Sequence, residues 1–203
     1  MKRVLWDVDT QIDFIEPGAK LYFDGAETAI PEMRRLVEAA RAAGLVHVAS
    51  SDDHELTDAE ISDEPDFDVT WPPHCLRGTR GARKIPETEQ LDPVPLGLES
   101  VPERYLEGGE FLILKKAFDP FTNPNTDVLL ERLDPDEIVL FGVATDICDD
   151  ATVRALLDRG RRIRFVEDAS RGVDEARIAA CTAEWRARGV AFTTTDEVIA
   201  SLG

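Results

Sequence analysis

The feature that most constrains this chain is a repeating alternation. Short apolar runs, each followed at once by acidic, cationic or thiol residues, are separated by segments with helical periodicity. Residues 3–9 are the first run. Residues 26–43 follow, with Ile30, Met33, Val37 and Ala40 at the spacing of one helix face, and Gly44 ends the segment. Further strands are expected at 45–50, 111–114, 137–143, 162–166 and 190–194, and further helices at 125–133, 149–159, 174–188 and 195–202. Alternation of this kind predicts an α/β fold of three layers, α/β/α. Its core is a mostly parallel sheet of about six strands with helices on both faces. A length of 203 residues suits a single domain, 1–203, with a polar, proline-rich loop segment at about 52–110.

In such sheets ligands bind beyond the carboxyl ends of the strands. The residues just past each run therefore carry the functional signal: Asp9, Ser50 to Asp52, Lys115 and Lys116, Ala144 to Cys148, and Asp168. They place acid, cation and thiol groups on one edge of the sheet.

Composition narrows the partners. A net charge of −18 repels nucleic acid and anionic lipid, so neither is an expected partner. No stretch approaches the roughly 20 apolar residues of a membrane helix, and no export signal precedes the first run, so a cytoplasmic location is expected. A small molecule is the expected partner, and a homo-oligomer is compatible with the sequence. The three cysteines, Cys75, Cys148 and Cys181, are odd in number and widely spaced, which argues against a disulfide framework.

Cys148 follows a buried strand and opens a helix. There the positive end of the helix dipole favours a thiolate, and backbone N–H groups can point at an oxyanion. Asp149 and Asp150 oppose that thiolate. Cys181, beside Ala179 and Ala180 on a helix, reads as structural. A thiol also needs a base and a counter-charge. Asp9 and Lys115 end neighbouring runs and supply both if strands one, three and four lie side by side. Of the three histidines, His47 sits inside a strand and reads as structural. His54, in Asp52-Asp53-His54, and His74, in Trp71-Pro72-Pro73-His74-Cys75, lie on the active edge. Imidazole and carboxylate together suit zinc, iron or manganese.

These residues resemble the isochorismatase-like cysteine hydrolases, and within them the nicotinamidases, over essentially the whole chain. Asp9-Thr10-Gln11-Ile12-Asp13-Phe14 is similar to the family's D-x-Q-x-D-F opening, which implies that Asp9 is the catalytic carboxylate. The run from Lys115 to Phe121 resembles K-x-x-Y-S-A-F and selects Lys115 over Lys116. The run from Gly142 to Cys148 resembles G-[VI]-x-T-D-x-C, which makes Cys148 the nucleophile. The resemblance further implies a cis peptide at Val143-Ala144 and an oxyanion hole near Ala144 and Cys148. It implies one divalent transition metal on Asp52, His54 and His74, with Glu60 as a further ligand and Glu64 as its rival. Phe14 and Trp71 would sandwich a pyridine ring, and Phe118 would form a pocket wall. The implied reaction converts nicotinamide to nicotinate and ammonia through a cysteine thioester. Phe118, Asp119-Pro120 and Ile147 depart from the family pattern beside the pocket, and Asp7 adds a carboxylate to the first strand.

Three other readings exist, one of them a catalytically idle binding or scaffold protein, which the filled triad positions disfavour. A relative acting on an N-carbamoyl or ureido amide, or on isochorismate, would share the triad without the metal set. Separately, Asp7-Val8-Asp9-Thr10 resembles the D-x-D-x-T motif of haloacid-dehalogenase-type phosphatases, with its Thr one position early and Gln11 where the motif has Thr, and that motif leaves the Cys148 turn and the Trp71 to Cys75 segment unexplained.

Overall fold

In the computed structural model, which describes residues 1–67, 69–101 and 106–202, one sheet of seven strands runs parallel throughout. The strands are β1 (Arg3–Val8), β2 (Val46–Asp52), β3 (Val94–Leu96), β4 (Glu110–Lys115), β5 (Glu137–Gly142), β6 (Ile163–Val166) and β7 (Ala191–Thr193). Their order is β3-β4-β2-β1-β5-β6-β7. The helices are α1 (Ile12–Ile15), α2 (Ile30–Ala42), α3 (Pro124–Leu133), α4 (Asp150–Asp158), α5 (Glu175–Ala187) and α6 (Thr195–Ala200).

Burial explains the strand sequences. Every residue of β5 is buried, as a strand covered on both faces requires. Along β1 the side chains alternate. Val4, Trp6 and Val8 pack with Leu129 of α3, Leu156 of α4 and Trp185 of α5. Leu5 packs on the other face with Met33 and Leu36 of α2 and Val198 of α6. No helix among the described residues is long and apolar enough to cross a membrane.

The sheet has one strand more than the sequence predicts. The addition is β3, three residues with Pro95 at the centre, at the sheet's edge. Proline cannot donate to a central ladder but is tolerated on an edge, which is why this segment reads as loop.

The topology fixes where a ligand can bind. β1 is followed outward by β2 on one side and β5 on the other, so the chain reverses direction at the β1/β5 boundary. A crevice opens beyond the strand ends at such a switch point. Gly142 closes β5 against β1 there: its φ is 151°, and a Cβ would meet the Val8 carbonyl oxygen at 2.2 Å. Only glycine allows that approach.

The extra carboxylate of β1 is also accounted for. Asp7 is fully buried, with Lys84 Nζ at 3.0 Å, Thr10 Oγ1 donating at 2.8 Å and His47 Nε2 at 3.7 Å. A buried acid of this kind persists only when paired. The pair pins the loop after Gly81 to the central strand, assisted by the Gln11 amide on the Ala82 carbonyl. Asp7 is thereby closed to in-line attack on phosphorus, which removes the phosphatase reading. His47 is structural, as its sequence context suggests.

Candidate active site

Asp9 leaves β1 with a left-handed backbone, φ 48°, which turns its carboxylate into the crevice. The Ser50 hydroxyl donates to Asp9 Oδ1 at 2.7 Å, and Lys115 Nζ lies 2.8 Å from Oδ2. Lys115 also contacts Asp52 Oδ1 and reaches Cys148 Sγ at 3.8 Å. Asp9, Lys115 and Cys148 therefore meet, but not through adjacent strands as the sequence suggests. β4 is separated from β1 by β2, with Lys115 in register with Asp52. The lysine's length lets it cross a strand spacing of about 4.8 Å.

Electrostatics set the resting protonation. Burial alone would lower Lys115, but the Asp52 and Asp9 carboxylates outweigh it and hold the ammonium charged well above its ordinary range. Burial raises the Asp9 carboxyl, with Lys115 opposing and Asp52 adding to the rise. Burial also pushes the Cys148 thiol well above its ordinary value, against the pull of Lys115. The expectation of a dipole-stabilised thiolate is therefore corrected. Cys148 sits in a wide turn, Thr145–Asp149, ahead of α4, and is a neutral thiol at rest.

The turn is pinned from below. The peptide between Val143 and Ala144 is cis. Val143 donates to the Val8 carbonyl at 3.0 Å, and the Ala144 carbonyl accepts from Ile147 at 2.9 Å and Asp149 at 3.1 Å. The Asp146 carboxylate, fully buried, accepts from the backbone of Val173 at 2.8 Å and Asp174 at 3.2 Å and pairs with Arg177 at 3.0 Å. That clamp delivers Val173 to the cleft.

Asp149, next to the thiol, is wholly buried, and neither of its carboxylate oxygens has a hydrogen-bond partner. Burial, with Asp9 and Asp7 nearby, pushes it well above the usual carboxylate range, so it is a neutral acid in the fold. In the unfolded chain it ionises above the ordinary aspartate value. The part of its cost tied to ionisation is therefore absent at low pH and grows as pH rises past that value, while the cost of the unpartnered oxygens is present throughout. Asp149→Val is expected to gain about 1–3 kcal/mol in acid, from removal of the unpartnered group, with the gain growing as pH rises above about 4. Thermal melts across pH check this; a variant no more stable than wild type at pH 7 would refute it.

One donor atom from each of Asp52, His54 and His74 lies within 4.8 Å of the others, and all three residues are buried. Asp52 joins the two clusters. Its Oδ1 faces Lys115, while its Oδ2 lies 3.9 Å from His54 Nε2 and 3.8 Å from His74 Nε2. Burial pushes Asp52 up, but Lys115 and the imidazoles outweigh it and hold the group well below the carboxylate range. Burial holds His54 below its ordinary value and hence neutral, as a ligand must be. His54 Nε2 is buried without a hydrogen-bond partner, an acceptor lacking a donor. Two imidazoles and a carboxylate converging on that atom fit a divalent transition metal. Asp9, Asp52 and Cys148 form a second close group, but the Lys115 ammonium contacts all three, so a cation already neutralises it.

Glu60 Oε2 lies 3.6 Å from His54 Nε2, with the carboxyl pushed up to about 7 by burial and by Asp52. Its position is set by backbone bonds between residues 60–62 and Trp71. Glu64 is exposed.

A cleft of about 220 Å³ opens above these groups. Phe14, Trp71 and Phe118 line it together with Val143, Ala144 and Cys148. The Phe14 ring stands 5.6 Å from the His74 ring, and the Trp71 ring 6.3 Å from that of Phe118. Sequence reasoning did not find Leu21, Tyr22, Phe23 or Val173, which also line the cleft, because an apolar loop residue carries no periodic signal. Cys75 donates its backbone N–H to Asp13 Oδ2 at 2.7 Å, and its buried thiol is raised well above its ordinary value. Cys181, its thiol pushed up to about 11 by burial, donates to the Ile178 carbonyl at 3.3 Å and is structural.

Residues 4–197 match the Isochorismatase domain family. The nicotinamidase/pyrazinamidase of Mycobacterium tuberculosis is 29% identical over 191 residues, 93% of this chain and 96% of that protein. The zinc complex of the pyrazinamidase of Pyrococcus horikoshii superposes with a TM-score of 0.76 at 22% identity, covering 96% of this chain and 99% of that one. The N-carbamoylsarcosine amidase of Thermoplasma acidophilum superposes with a TM-score of 0.73 at 27% identity, covering 97% and 98%.

Proposed function

The chain belongs to the isochorismatase family and is a hydrolase acting on amides, and from that premise we propose that it converts nicotinamide to nicotinate and ammonia through a thioester on Cys148. The observation that carries this reading is the shared carboxylate of Asp52, which places a metal-type donor set beside the thiol site on one cleft floor. A pyridine ring between Phe14 and Trp71 can then present its nitrogen to one cluster and its carboxamide to the other.

Asp9 takes the Cys148 proton as sulfur attacks the carboxamide carbon. Its raised affinity for protons makes it a better base than an ordinary carboxylate. Lys115 stays charged throughout and stabilises the sulfur anion as it forms. The backbone N–H groups of Ala144 and Cys148 are assigned to the oxyanion. Asp9 returns the proton to the departing ammonia, then takes one from the water that cleaves the thioester and passes it to the released Cys148 sulfur. Asp52, His54 and His74, with Glu60 alongside, would hold a zinc, iron or manganese ion, whose chemistry there is Lewis-acid binding and polarisation of the heteroaromatic ring. The chain's own part is to hold the ring so that the carboxamide stays near the thiol.

One observation favours a second reading, hydrolysis of a ureido or N-carbamoyl acid. Lys20 lines the cleft, where its ammonium could meet a substrate carboxylate. A substrate panel with metal removal separates the two. Nicotinamide and pyrazinamide are expected to release ammonia, and chelation is expected to lower kcat/KM by roughly 100-fold, the order attached to a lost positioning contact. Release from ureido acids alone, indifferent to chelator, would transfer the assignment to the second reading.

A further inference from the structure

We propose that Asp58 and Lys116 form the outer support of the metal site, with Asp58 fixing the tautomer and ring orientation of His54. The inference rests on the metal reading of Asp52, His54 and His74 and extends it to two residues outside that set. His54 Nδ1 lies 3.2 Å from Asp58 Oδ2. That carboxylate therefore accepts a hydrogen bond from Nδ1–H and turns the Nε2 lone pair toward Asp52 and His74, the arrangement in which carboxylates commonly support metal-binding imidazoles. His74 is fixed in the same sense by a different acceptor, since its Nδ1 meets the Pro72 carbonyl at 2.8 Å.

Asp58 is itself held. Its Oδ2 accepts the Glu55 backbone N–H at 2.8 Å and the Lys116 ammonium at 2.7 Å. Successive residues of an extended segment point opposite ways. Lys115, the last residue of β4, therefore turns into the thiol site, and Lys116 turns out to Asp58. The end of one strand thus braces both halves of the cleft floor. This gives Lys116 a role distinct from that of its neighbour. It also accounts for an aspartate four residues beyond His54 on a loop otherwise bounded by exposed residues.

The test is zinc affinity, measured on the full chain by competition with a chromophoric chelator, for wild type, Asp58→Ala, Asp58→Asn and Lys116→Met. Metal-free melting temperature and the visible spectrum of the cobalt-loaded protein are read alongside. Asp58→Ala is expected to weaken zinc binding about 10- to 100-fold. Asp58→Asn, which keeps an acceptor for Nδ1–H without the charge, should fall between Ala and wild type. Lys116→Met should weaken binding less than Asp58→Ala. The cobalt spectrum should change in Asp58→Ala while the metal-free melting temperature of Asp58→Asn stays near wild type. If Asp58→Ala does not fold, Asp58→Asn decides alone. Zinc binding within twofold of wild type in the Asp58 variants overturns the support role and leaves the metal site standing. A wild-type protein that binds no zinc overturns both.

Discussion

Cys148→Ala is expected to lose at least about 10⁴-fold in ammonia release from its amide substrate, the order seen when a covalent nucleophile is removed, while folding as wild type does. The sulfur is the group at the crevice that can attack carbon: Asp9 is engaged by Ser50 and Lys115, and Asp52 by Lys115. Truncation removes one buried atom from a turn whose backbone is held by Ala144, so a cost of about 1 kcal/mol is expected. Ammonia assays, melting curves and intact-mass detection of an acyl-enzyme in the wild type check the claim. A variant retaining a hundredth of wild-type turnover would end the thioester mechanism. Because burial raises the thiol, iodoacetamide should label Cys148 slowly at neutral pH and faster as the solution becomes alkaline. A thiol already ionised at rest would show a flat rate instead.

That resting state marks where the sequence was legible and where it was not. Asp9, Lys115 and Cys148 are visible because each ends an apolar run, and parallel sheets gather strand ends on one edge. What a strand end cannot reveal is how deeply its side chain is buried. Helix position favours a thiolate, with Asp149 and Asp150 opposing; burial, with Asp9 and Asp52 adding to it, raises the thiol instead. The lateral order of strands was equally hidden, so the route by which Lys115 crosses β2 to Asp9 emerged only from the topology. Asp7 read as an anomaly because its partner, Lys84, is 77 residues distant, in a loop without periodicity. Asp58 left no mark because an aspartate in an acidic loop looks like any other solvated carboxylate. The donor set of Asp52, His54 and His74 was legible from a short Asp-x-His segment and a proline-stiffened histidine. Its connection to the thiol through the two oxygens of Asp52 was not.

Lys115→Met is expected to damage stability and turnover together, and the combination distinguishes it from an ordinary catalytic substitution. The ammonium is fully buried and contacts Asp9 and Asp52, themselves buried. Removing it leaves two acids without their cation in a low-dielectric site, a loss of about 3–5 kcal/mol, or roughly 10 °C in Tm for a chain of this size. The deficit follows from the sign of the linkage. Without Lys115 the folded-state pKa of Asp9 rises further above that of the unfolded chain, and Asp52 loses the largest of the charges that hold it low. The deficit should therefore be small in acid, where both states are protonated, and widen as pH rises through the ordinary aspartate range. Turnover should fall about 10³-fold, the order attached to losing one preorganised charge at a developing anion. Lys115→Met with Asp9→Asn tests the coupling. Removing one of the stranded carboxylates should restore part of the lost stability, giving a non-additive cycle, while activity falls further because the base is gone. Lys115→Arg keeps the charge in a rigid fork that cannot occupy the same point between three groups, so it should recover more stability than activity. If Lys115→Met melted with wild type, or if its deficit were independent of pH, Lys115 would not be the counter-charge that holds this site together.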